Sequence, residues 1–352
     1  MILQDKYIPI GALPYTDLGT ATRMEAKLFE KLPFIAFLPN CFPEDTWNAR
    51  MFGNIPGIKL DGDNISILLS TPEAKKGIQY LDKAFNHPDL KHLEPFAMES
   101  PFMEKFFQLI KKFKSPNAII NVLGPFTVSQ ILTEVAANQV IVDKSFRKLF
   151  IQTVCVKALW VIKKIKEINP NITPIVMLEE PMLGQFGLIK RQNEDITADL
   201  VTLYLSRVID KLREAGAIVG VQCLEKCDWT IPINAGVDII SFDAYNNPNN
   251  LNIISDVVAE FIRRGGYINW GIVPAMSESM TKGLNINIVE KRLLVTMEGL
   301  ILAGIPPKDI YKSAIVSTQG DVDKLPVIFA EKLIMLTIQL AKKLAVKSVV
   351  KD

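Results

Sequence analysis

Six residues at two nearby places carry side chains that bind metals, move protons or hold polar ligands. Gln222, Cys223, Glu225 and Cys227 fall within residues 220–229, and Asp243 and Tyr245 close the run 237–245. Cys223 and Cys227 are four apart, so on a helix their thiols share a face. Alone they fill half of a zinc shell; with Glu225 and Asp243 they would give two thiolates and two carboxylates. The competing expectation, and the one favoured, is an inert buried Cys223 at a strand end and a Cys227 packed under Trp229. Glu179-Glu180 is the other reactive pair. Adjacent residues at a strand end point to opposite sides, so one carboxylate faces a ligand there and the other does not. A facing carboxylate near Asp243 would form a coupled acid/base pair or hold an ammonium group. Its competing partner is a cation such as Lys59 or Arg50. Trp270, Tyr245, Phe126 and Tyr15 would supply an aromatic wall for a flat ligand, although aromatics at such positions also serve as core layers. The two histidines, His87 and His92, sit in a proline-broken loop and read as surface residues.

These groups need strands to carry them. Short, wholly apolar runs alternate with helical patterns, which is the mark of a parallel sheet covered on both faces. Strands are expected near 8–10, 34–38, 118–123, 174–178, 218–222, 237–242, 267–271 and 313–316. Helical spacing fills 72–85, 98–113, 128–137, 144–168, 199–215, 288–303 and 325–346, and Asp17 or Thr16 caps an earlier helix. Between 51 and 69, two apolar runs flank Asp61-Gly62-Asp63-Asn64, a β-hairpin signal. The expectation is one α/β domain over 1–352, a (β/α)8 TIM barrel with a hairpin insertion at 51–69 near its mouth. No glycine-rich phosphate loop follows any strand, which argues against a doubly wound nucleotide fold. In barrels, polar groups at the carboxyl ends of strands form the site.

Composition narrows the partners. The chain has 352 residues, 49% hydrophobic, with 40 basic against 38 acidic residues and no long block of one sign. That pattern excludes nucleic acid as the main partner. No apolar run reaches the length of a membrane span, and residues 1–6 lack an export pattern. Four scattered cysteines make no disulfide framework. A cytoplasmic protein acting on a small molecule is expected.

Several motifs fall in one order along almost the whole chain: Gly11-Ala12-Leu13-Pro14-Tyr15-Thr16-Asp17, Gly124-Pro125-Phe126-Thr127, Glu179-Glu180-Pro181, Cys227-Asp228-Trp229, the run from Asp238 to Tyr245, and Trp270-Gly271-Ile272-Val273-Pro274. They resemble the barrel of the cobalamin-independent methionine synthase catalytic domain and uroporphyrinogen decarboxylase, most closely the short methionine-synthase-like proteins. The resemblance implies a methyltransferase in one-carbon metabolism, with Glu179 and Asp243 as catalytic residues and Tyr15, Gln222, Tyr245, Trp270 and Gln319 around the substrate. It also implies that Glu179 is the carboxylate that faces the mouth. A methyl-corrinoid is a candidate donor and a corrinoid protein a candidate partner. The family's zinc ligands fall on Gln222, Leu224, Asp243 and Gln319, so no tightly bound zinc is expected. The fallback metal set is Cys223, Cys227 and Asp243. The family's serine in the first turn is Ala12, and its acid histidine falls on Val273. The alternatives are a metal-independent decarboxylase or other lyase, and a non-catalytic ligand-binding relative.

Overall fold

Aliphatic and β-branched runs, each too short for a buried helix, form the central sheet. The computed structural model describes residues 6–9, 11–62, 64–113, 115–136 and 144–348. A two-stranded antiparallel hairpin comes first, β1 (Ile58–Asp61) and β2 (Asn64–Ile67), paired Ile58 to Ile67. Six parallel strands follow: β3 (Asn117–Leu123), β4 (Thr173–Glu179), β5 (Ile218–Cys223), β6 (Ile239–Phe242), β7 (Tyr267–Val273) and β8 (Ala314–Thr318). They lie side by side in chain order and curl into a half-barrel flanked by helices. Each crossover is helical, as parallel neighbours require. The helices Lys144–Ile168, Ala198–Glu214, Ile286–Leu302 and Val327–Lys347 pack on the convex side of β3, β5, β7 and β8 respectively. Buried apolar side chains from Tyr7 to Leu344 join one core cluster.

The two N-terminal segments expected as strands make only isolated parallel bridges, Tyr7 to Val316 on the β8 edge and Phe34 to Ile119 on the β3 edge. They meet each other at Ala12 and Phe37, where Leu13 N–H donates to Phe37 O at 2.9 Å. Proline explains the brevity. Pro9, Pro14, Pro33 and Pro39 bracket both segments, and each removes a ladder donor. Asp17 does cap the first helix, accepting from Thr20 N–H at 2.7 Å. The helix expected from 98 begins only at Met103, after an irregular stretch at 97–100 and a turn at Pro101-Phe102. Of the expected positions, Ile10, Asp63, Ala137 and residues 1–5 lie outside the described residues. Among the described residues no helix is long and apolar enough to cross a membrane.

The hairpin packs on the helices Trp47–Phe52 and Pro125–Ala136. None of its described residues is among those lining the cavity at the strand ends.

Candidate functional site

Single polar residues interrupt the apolar strands, and side-chain alternation gathers them on the concave face. Asn121 of β3 donates from Nδ2 to Glu179 Oε1 at 2.7 Å, and Gln222 of β5 donates from Nε2 to Glu179 Oε2 at 2.7 Å. Ser241 of β6 donates to Gln222 Oε1 at 3.1 Å. Asn269 of β7 then donates to Ser241 Oγ at 2.8 Å and to Ser317 Oγ of β8 at 3.0 Å. One hydrogen-bonded chain thus crosses all six strands. The Asn121 and Asn269 oxygens are buried without a partner among the described residues.

Above this chain lies a cavity of about 570 Å³. Glu179, Gln222, Leu123 and Leu224 come to it from the ends of β3, β4 and β5. Phe37 and Trp47, in contact with each other, make its aromatic side. Asp321 enters from the loop after β8, accepting from Ala12 N–H at 2.9 Å. Gly11 permits that approach: its φ is +72°, and a Cβ there would lie 1.3 Å from Asp321 Oδ1. Asp45 and Glu225 complete the acidic lining, and no lysine, arginine or histidine joins them among the described lining residues. Asp45 is neutralised by the buried Arg50, whose Nε donates to Asp45 Oδ1 at 2.7 Å.

Burial pushes the Glu179 carboxyl up to about 8; the like charge of Asp321 adds to this, while the Asn121 and Gln222 amides oppose it. Asp321 is itself raised, by burial first. At neutral pH Glu179 therefore holds a proton. One amide already occupies each of its oxygens, which leaves the acid proton free for a group in the cavity. Glu180, the next residue, points away. Its Oε1 accepts from Phe126 N–H at 2.9 Å, and its Oε2 from Thr127 N–H at 2.7 Å and Thr127 Oγ1 at 2.6 Å. It caps the helix Pro125–Ala136 and is structural.

Several expected partnerships do not form. The carboxylate coupled to Glu179 is Asp321, not Asp243. Asp243 accepts from Asn246 N–H at 2.8 Å, Asn246 Nδ2 at 2.6 Å and Gln319 Nε2 at 3.1 Å. Neither Lys59 nor Arg50 reaches Glu179: Lys59 is exposed on the hairpin, and Arg50 is committed to Asp45. The aromatic wall does not assemble either. Trp270 is one residue from the concave Asn269 and so faces the helices, 5.4 Å from Phe242. Tyr15 donates its hydroxyl to Glu331 Oε1 at 3.3 Å, Tyr245 lies 4.2 Å beneath the Arg292 guanidinium, and Phe126 packs on Phe186. His87 is exposed, and His92 pairs with Asp89 at 2.9 Å on the surface.

Cys223 is buried at the end of β5, donating to Glu225 O at 3.5 Å, and Cys227 touches it. Burial raises the Cys227 thiol well above its ordinary range, with the neighbouring Cys223 adding to the effect. Among the described residues no three His, Cys, Asp or Glu side chains group as a metal site, so Cys223, Cys227 and Asp243 do not converge. The positions that the resemblance assigns to zinc do not suit it. Gln319 turns an N–H donor towards Asp243, and the Gln222 amide is spent on Glu179 and Ser241.

Asp321, Asp45 and the chain Asn121, Ser241, Asn269 and Ser317 were not among the sequence candidates. The strand polar residues carried a usable signal: each is a lone polar side chain at concave parity in an apolar run. Asp321 carried none, since only the turn at Gly11 brings it to the cavity. Comparison with protein-family models gives no match, and comparison with curated proteins gives none either.

Proposed function

We propose that this chain is a methyltransferase-like (β/α)8-barrel enzyme that moves a one-carbon unit to or from a small substrate bearing an amine or other cation. The eight-strand reading takes the bridges at Tyr7, Ala12, Phe34 and Phe37 as two short staves between β8 and β3. Methyl transfer is supported by the order of the strand-end motifs. The substrate charge is supported by the single observation that carries the proposal: Glu179 and Asp321 line one cavity of about 570 Å³ with two more carboxylates and no basic group among the described lining residues. That volume lies in the usual range for small-molecule sites.

In this mechanism Asp321, with Glu225 at the rim, supplies the negative charge that holds the cation. Glu179, protonated at neutral pH, would give its proton to the heteroatom of a methylated substrate as that atom's bond to the methyl carbon breaks, the methyl passing to a nucleophilic acceptor such as a cobalt(I) corrinoid and Glu179 being left as the carboxylate. Gln222 and Asn121 fix the orientation of Glu179. Phe37 and Trp47 cover the apolar part of the substrate. No step is assigned to zinc. A porphyrinogen with its several carboxylates would meet Asp321 and Glu225 and no basic group among the described lining residues, which argues against the decarboxylase alternative.

The test supplies methylcobalamin as donor with a panel of amine-bearing thiols, and cob(I)alamin as acceptor with a panel of methylamines, and follows methylated or demethylated products by mass spectrometry. Product formation that collapses in Glu179→Gln supports the proposal. Carbon dioxide release from a porphyrinogen, or methyl transfer indifferent to Glu179→Gln, overturns it.

A further inference from the structure

The helix Ile286–Leu302 buries Val289, Leu293, Met297 and Leu300 against its neighbours. Its exposed side carries Lys291, Arg292 and Glu298 and, among them, a row of apolar residues that a fully solvated face would lack. Ile288, Val295 and Leu302 are 50%, 60% and 82% exposed, and they are spaced seven apart. Such spacing keeps three apolar side chains on one line along the helix. Ile253, 79% exposed, follows Asn252, whose side chain lies against this helix at Gly299, where a Cβ would lie 2.2 Å from Asn252 Nδ2. Scattered apolar residues on a surface mean little, but an aligned row of this kind marks a contact surface.

Charge identifies what covers it. Lys291 and Glu298 are both exposed. At about 100° per residue they fall on the same flank of the line, roughly 40° and 60° from Val295, one turn below and one turn above it. An antiparallel second copy, with the two-fold axis at Val295, would set Ile288 against Leu302. It would also bring Lys291 within one residue's rise of Glu298. Both contacts occur twice, as an isologous interface requires. A parallel pairing would instead level each residue with its own copy and bring Lys291 to Lys291.

We propose that the helix Ile286–Leu302 docks on the same helix of a second copy of this chain, forming an antiparallel homodimer centred on Val295. The interface lies on the convex side and leaves the concave cavity open. It is independent of the proposed reaction.

Light scattering coupled to size exclusion, run on the full chain over a concentration series, tests this. The wild type is expected at about twice the chain's 39.4 kDa. Val295→Glu and Lys291→Glu are expected at the monomer mass. The double variant Lys291→Glu with Glu298→Lys is expected to recover the dimer, since the pairs are restored in reverse. All three positions are exposed, and circular dichroism checks that each variant folds; should Val295→Glu fail to fold, the charge reversal and its rescue decide alone. A wild type that stays monomeric throughout overturns the proposal. So does a dimer that survives Val295→Glu or Lys291→Glu, or a double variant that fails to re-form it.

Discussion

The two faces of β5, β6 and β7 are built from alternate residues of the same strands, yet they do opposite things. On the concave face Gln222, Ser241 and Asn269 hand hydrogen bonds from strand to strand and end on Glu179. One residue further along β6 and β7, Phe242 and Trp270 pack 5.4 Å apart, with Trp229 beyond them at 6.2 Å from Phe242. The first face holds a polar chain with unused acceptors, the second an apolar layer that fills volume. Even the Trp229 and Trp270 indole N–H groups have no partner there among the described residues. The proposed chemistry and the packing that stabilises the fold are therefore divided by the parity of a strand position, and substitutions on the two faces should separate activity from stability.

The largest effect is expected on the concave side. Glu179→Gln removes the proton donor while keeping size and one of the two amide hydrogen bonds to its oxygens. Turnover should fall by about 10² to 10⁴-fold, the usual worth of a general acid, well beyond any loss of folded protein. On the opposite face Trp270→Ala should cost about 3 to 5 kcal/mol of unfolding free energy through the cavity it leaves, read from denaturant titration. Trp270→Phe should retain turnover. Loss of turnover in a well-folded Trp270→Phe would return that residue to the site and break the division between the faces.

The two adjacent glutamates sharpen the comparison at one point. Glu180→Ala strips the cap from the helix Pro125–Ala136 and should cost about 1 to 3 kcal/mol, because three donors lose a buried acceptor. Its effect on turnover should follow the loss of folded protein and no more.

Parity was legible in the sequence where a pair of like residues exposed it. Glu179 and Glu180 had to face opposite ways, and they do. Parity was not legible at Trp270, which the cluster of strand-end aromatics and the family resemblance both set at the mouth. Only the register with Phe242 and Val316 fixes its face. The six sheet strands could be read because each is a mainly apolar run with only scattered polar residues. The two N-terminal segments looked equally strand-like, but their prolines leave single bridges instead of ladders. Asp321 could not be read at all. It reaches Glu179 through a left-handed turn at Gly11, more than 300 residues away in the chain, and no local pattern encodes that contact.

The smallest effects are in the pH dependence of stability. Glu179 and Glu180 have folded pKa values of about 8 and about 7 against an ordinary 4.5, so each binds more protons folded than unfolded between those limits. Their contribution is complete below the ordinary value and lost as pH rises through 7 to 8. Lys157 runs the other way. Burial lowers it from 10.5 to about 7, so the unfolded chain binds the extra proton and stability rises from pH 7 towards 10.5. Denaturant midpoints should thus fall from mildly acid to neutral pH and recover in mild alkali. Glu179→Gln should flatten the acid-side fall.

A proton held on Glu179 at neutral pH is the premise of the whole site, and it can be observed without knowing the substrate. Carbon-13 NMR of chain labelled at glutamate carboxyls, with Glu179→Gln to assign the signal, gives its titration midpoint. The expected midpoint is about 8, shifted downwards in Asp321→Asn as the like charge is removed. A Glu179 signal that titrates near 4.5 would contradict a proton-donating Glu179.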